Sequence, residues 1–69
     1  MFVIQKINIF KDKTKIIRYF AGLRANGVDF ESKPDFALKY DDKAKAESML
    51  KTLKARMPGL NVKYEIVEV

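Results

Sequence analysis

Between Lys43 and Met57 the apolar residues recur at helical spacing, whereas most of the remaining chain repeats at the spacing of a strand. That contrast restricts the fold more than any other feature. Ala46, Met49, Leu50, Leu53 and Met57 follow one another at steps of one, three and four, which places them on one stripe of a helix. Lys43, Glu47, Lys51 and Lys54 cover the other side, with Glu47 and Lys51 set as a favourable i, i+4 pair. Asp41 or Asp42 is placed to cap the free amides at the start, and Lys54 and Arg56 suit the negative end of the helix dipole. Pro58-Gly59 ends the helix. One apolar stripe needs one apolar surface to lie against, and the sheet-forming segments on both sides of the helix supply it.

Met1 to Phe10 holds Phe2, Val3, Ile4, Ile7, Ile9 and Phe10, a strand by composition. Its alternation is imperfect, with Phe2 and Ile4 on one face and Ile7 and Ile9 on the other. The expectation is a central strand, either bulged near Gln5-Lys6 or covered on both sides. Lys11-Asp12-Lys13-Thr14 has the length and polarity of a turn. Lys15 to Leu23 fits a second strand, with Ile16, Ile17, Tyr19 and Phe20. It also fits a helix, because Ile16, Phe20 and Leu23 lie at i, i+4 and i+7 and Asn26-Gly27 would cap it. The strand is preferred, since Gly22 inside a helix costs about 1 kcal/mol relative to alanine.

Arg24 to Pro34 reads as a loop that includes a short strand at Val28 to Phe30. Asp35 to Tyr40 alternates as a short strand leading into the helix, and Leu60 to Val69 is the last strand. The expected architecture is one α+β domain over residues 1–69, an antiparallel sheet in the order β-β-(β)-α-β with the helix on one face. The alternative is a βαββαβ, ferredoxin-like order. The expected core is Val3, Ile4, Ile7, Ile17, Leu38, Ala46, Met49, Leu50, Leu53, Met57, Val62, Tyr64 and Ile66.

The chain has 69 residues, no cysteine and no histidine. A domain this short buries only about 60% of the surface its unfolded chain exposes, so its stability rests on tight packing or self-association. Disulfides, thiolate metal sites and imidazole ligands are excluded. The opening apolar run is broken by Gln5 and Lys6, too early for a signal-peptide core, and no stretch is apolar enough to cross a membrane, so the expectation is a soluble, cytoplasmic protein without membrane contact. Net charge is +5. Cations exceed acids on both sides of Asp35, so the excess reads as spread along the chain instead of gathered in a basic tail.

Tyr19-Phe20-Ala21-Gly22, then Ala37-Leu38-Lys39-Tyr40, then Lys45-Ala46-Glu47-Ser48-Met49-Leu50 before a valine-rich tail resembles small proteins encoded by bacteriophages and prophages. In those proteins a strand like Phe2-Val3-Ile4 and a tyrosine-containing second strand precede a capped helix. The resemblance spans most of the chain. It implies a phage-related accessory role and carries over no functional residue.

Chemistry needs a nucleophile, base or metal held in a pocket. Asp41-Asp42 is the nearest approach to a carboxylate pair, and capping accounts for it; Asp29 and Glu31 could share a strand face, with nothing to complete a metal shell. Gly22, Gly27 and Gly59 are isolated, so no phosphate-binding loop is present. No catalytic, cofactor or metal site is expected, and the chain reads as a non-enzymatic binding module that contacts or inhibits a host or phage macromolecule. Eight aromatics exceed the obvious needs of one small core, and a strand with two apolar faces implies that something covers the second. Arg18, Tyr19 and Phe30 are the candidate anchors for a protein partner, against a structural reading in which Phe30 folds back on the sheet as a lid. An exposed sheet edge also offers a route to a homodimer by strand addition. The alternative function is nucleic-acid binding, with Lys11, Lys13, Lys15, Arg18 and Arg24 contacting phosphates beside Tyr19 and Phe20. Against it, lysines at a hairpin commonly keep a strand soluble.

Overall fold

A computed structural model describes all 69 residues. Strand β1 spans Phe2–Ile9, β2 Lys15–Arg24, β3 Gly27–Glu31 and β4 Val62–Glu68; a 3-10 turn covers Pro34–Phe36, and helix α1 covers Lys43–Arg56. The four strands form one antiparallel sheet in the order β3-β2-β1-β4. The fold is therefore the small α+β arrangement, and Lys15 to Arg24 is strand, not helix.

β1 is central because each of its neighbours takes one set of its backbone groups. Ile4, Lys6 and Asn8 share α1's side, and Val3, Gln5, Ile7 and Ile9 point the other way. The register with β2 and β4 runs without a slip, so β1 has no bulge at Gln5-Lys6, while its face away from α1 is covered in part, with Val3 fully buried and Ile7 and Ile9 half-buried. The bulge lies in β2, between Phe20 and Gly22. Gly22 has φ +147, which a side chain rarely adopts, so the glycine that weighs against a helix is the residue that lets β2 bend.

Past the bulge, β2 stays with β3 and leaves β1, and the chain before α1 fills the gap. The Leu38 amide donates to the Phe20 carbonyl, and Phe2 and Tyr40 exchange both of their backbone bonds at 2.7 and 2.8 Å. The expected strand from Asp35 to Tyr40 is thus reduced to this bridge. Pro34 sets a tight turn instead, closed by the Ala37 amide on the Pro34 carbonyl.

The core is a cluster of Ile4, Phe20, Ala46, Leu53 and Tyr64 between the sheet and α1, with Met49, Leu50, Met57, Val62 and Ile66 packed around it. Burying a side chain as large as Phe20 or Leu53 contributes about 1.5–3 kcal/mol. Asp42 caps α1 by accepting from the Ala44 amide at 2.9 Å. At the other end the Tyr64 hydroxyl donates to the Met57 carbonyl at 3.1 Å, tying the helix terminus to β4. Two expected core residues are misplaced: Ile17 and Leu38 are each 42% exposed. Ile17 points away from α1, and Leu38 sits in the rim of the gap it fills. Phe20 and Ala37, absent from the expected core, are buried.

Candidate binding surface

α1 starts beside Phe2 and Tyr40, and the chain leaving it meets Ile9, whose amide donates to the Asn61 carbonyl. The β1-β2 hairpin reaches past this cover. Phe10, Ile16 and Ile17 are all more than two-fifths exposed, and Ile16 and Ile17 stand on opposite faces of β2. Both faces of this hairpin end are therefore apolar and open.

The turn at its tip is held by Asp12. Its carboxylate accepts from the Thr14 hydroxyl at 2.6 Å and the Thr14 amide at 3.0 Å. These two bonds, the hydroxyl's first, hold the Asp12 carboxyl below the ordinary carboxylate range. The Lys13 amide donates to the Phe10 carbonyl, and Lys13 itself takes φ +69. The acid at the tip is thus engaged in shaping the loop, while Lys11, Lys13 and Lys15 are exposed around it.

Of the residues that sequence reasoning nominated for nucleic acid, Lys11, Lys13 and Lys15 are brought together, and Arg18 lies further along β2 on α1's side. Arg24 is separated from them at the far end of β2, where it is paired with Asp29. Three cations from elsewhere join the hairpin end. Lys63 lies in β4 opposite Ile7, Lys54 borders the same groove as Lys63, and Arg56 ends the helix that points this way. At the opposite end Asp29, Asp35, Asp41, Asp42 and Glu68 stand among Arg24, Lys39, Lys43 and Lys45, so the charge there nearly cancels. Charge that looks dispersed along the sequence is therefore polarised in space. The antiparallel pairing of β4 with β1 does this, because it returns the end of α1 to the hairpin; the basic last turn of α1 was the available signal.

The proposed protein-contact trio is not one surface. Arg18 and Phe30 share α1's side of the sheet, and Tyr19, half-buried, faces away. Phe30 is a strand residue that meets Phe20 edge to face, with ring centroids 6.3 Å apart. The Lys6 ammonium sits 4.5 Å from the centre of its ring. Phe30 serves as the lid on the core. No group of three or more acidic, cysteine or histidine side chains is arranged to hold a metal ion, and no helix is long and apolar enough to cross a membrane.

Comparison of the chain with protein-family models, with curated proteins and with solved structures gives no match.

Proposed function

We propose that the chain is a binding module that acts by surface contact, its working surface being the projecting end of the β1-β2 hairpin. One observation carries this reading: Phe10, Ile16 and Ile17 are exposed on both faces of a hairpin tip ringed by Lys11, Lys13 and Lys15. Apolar side chains inside a polar rim are the usual anatomy of a protein-contact site, and the three cations around Asp12 leave the rim net positive, which favours an acidic partner and speeds its approach. The sequence pattern that resembles small phage and prophage proteins supports the same conclusion, an accessory factor that contacts or inhibits a host or phage macromolecule.

Ile16 and Ile17 lie outside the buried core, so replacing both by serine tests the surface once circular dichroism shows that the variant is folded. A tagged chain is expected to capture a partner from host extract, and the Ile16→Ser, Ile17→Ser variant to lose it. Arg24→Ala, at the far end of the sheet, is expected to keep it. A partner retained equally by all three would place the contact elsewhere.

A second reading rests on the convergence of Lys54, Arg56 and Lys63 with the hairpin lysines. Such an end suits a nucleic-acid backbone. On this reading, retention on single-stranded DNA or RNA falls steeply with salt, and Lys11→Ala with Lys13→Ala flattens the slope by about two phosphate contacts. Absence of retention at low salt would remove it.

A further inference from the structure

β4 is an edge strand, and its outer side is a template for another strand. Ile9 bonds to Asn61, and Met1 to Val69, so by antiparallel alternation Lys63, Glu65 and Val67 direct their backbone groups at β1. Val62, Tyr64, Ile66 and Glu68 therefore turn their amides and carbonyls outward. A groove of about 380 Å³, bordered by Lys54, Pro58, Gly59, Val62 and Tyr64, opens beside them.

We propose that this edge pairs with the same edge of a second copy, about a two-fold axis at Tyr64, to give one continuous eight-stranded sheet. The register follows from the backbone and from charge. In an antiparallel pair the outward-facing residues must meet each other, which an axis on any residue from Val62 to Ile66 allows. An axis on Lys63 or Glu65 sets that charge against its own copy, which leaves Val62, Tyr64 or Ile66. Centred on Tyr64, Val62 meets Ile66 of the second copy on α1's side. Lys63 then stands directly opposite its Glu65 on the other side, and both pairs occur twice. Lys63 and Glu65 fall at non-hydrogen-bonded positions, where side chains approach most closely. Centred on Val62 or Ile66, neither charge finds a counter-charge. The other edge, β3, offers no such match, because centring it near Asp29 or Phe30 sets Asp29 against Asp29 or Glu31. The occupant that complements β4 in both hydrogen bonds and charge is β4 itself. The contact adds six backbone hydrogen bonds to a domain with only seven buried residues, which is where a chain of this size gains most from self-association.

Sedimentation of the full chain from micromolar to millimolar concentration tests this, with amide exchange followed at both extremes. A reversible dimer is expected, with the Val62, Tyr64 and Ile66 amides protected only as the concentration rises. Lys63→Glu and Glu65→Lys, both at exposed positions, each raise the dimer dissociation constant by about ten-fold, and the double exchange restores it. A monomer throughout would overturn the proposal and leave Lys63 and Glu65 as guards of a free edge. So would a dimer whose β4 edge amides exchange freely, or one indifferent to the single reversals, since either pairs through another surface.

Discussion

Tyr40 and Tyr64 show how much a single hydroxyl depends on its partner. Burial pushes both phenols above their ordinary value. The Tyr64 hydroxyl donates to the Met57 carbonyl, whereas the Tyr40 hydroxyl is buried without a partner. Tyr64→Phe is therefore expected to cost about 1 kcal/mol, while Tyr40→Phe is neutral or stabilising, because it removes an unpaired polar group. Urea denaturation at neutral pH compares the two. The pH dependence has a definite sign. With folded values raised, the unfolded chain ionises first, so the contribution is intact below about pH 10 and is lost as pH rises beyond it. Both variants should soften the alkaline fall in stability. Neither distinction was legible in the sequence, where Tyr64 reads only as an inward residue of β4 and Tyr40 as one of an alternating set.

Among the elements, α1 and the two terminal strands were readable: α1 and β4 each have a single strong period, and β1 has a β-branched and aromatic composition closed by the Lys11-Asp12-Lys13-Thr14 turn. The short strand expected at Val28 to Phe30 is β3, but the segment between β3 and α1 was not readable. Its conformation depends on the gap that opens where β2 bends at Gly22, a tertiary event that no local period records. Alternation along β2 explains the core: Phe20 shares the face of Ile16 and Arg18 and enters it, while Ile17, an odd number of residues away, points away from α1. Gly22→Val, which adds a β-branched side chain at φ +147, should destabilise by about 1–3 kcal/mol and loosen β3 before β1 or β4, as read by amide exchange. At the start of α1, Asp42→Ala removes the bond to the Ala44 amide and should cost about 1 kcal/mol. Asp41→Ala serves as the control: the side chain's recorded contact is a 3.8 Å pairing with exposed Lys45, worth at most a few tenths of a kcal/mol.

The molecule as a whole is closed by its ends. β1 begins the chain and β4 finishes it, and their pairing runs from Phe2 with Glu68 to Asn8 with Val62. The core sits over this seam, since Ile4, Tyr64 and Leu53 come from β1, β4 and α1 respectively. Hairpin β1-β2 and strand β3 lie on one side of the seam and cannot bury α1's stripe without it. A chain ending at Asn61 should therefore lose more than an edge strand: Leu53 and Ala46 would face a sheet lacking Tyr64 and Ile66, and β1 would become a free edge. Circular dichroism of that shortened chain is expected to show loss of helix as well as strand, with no cooperative thermal transition. Replacing Lys11-Asp12-Lys13-Thr14 by another four-residue turn should leave both signals in place, because that loop touches no part of the seam. A helix that persisted in the shortened chain would mean that α1 is held by β1 and β2 alone, and that the joined termini close a sheet already able to stand without them.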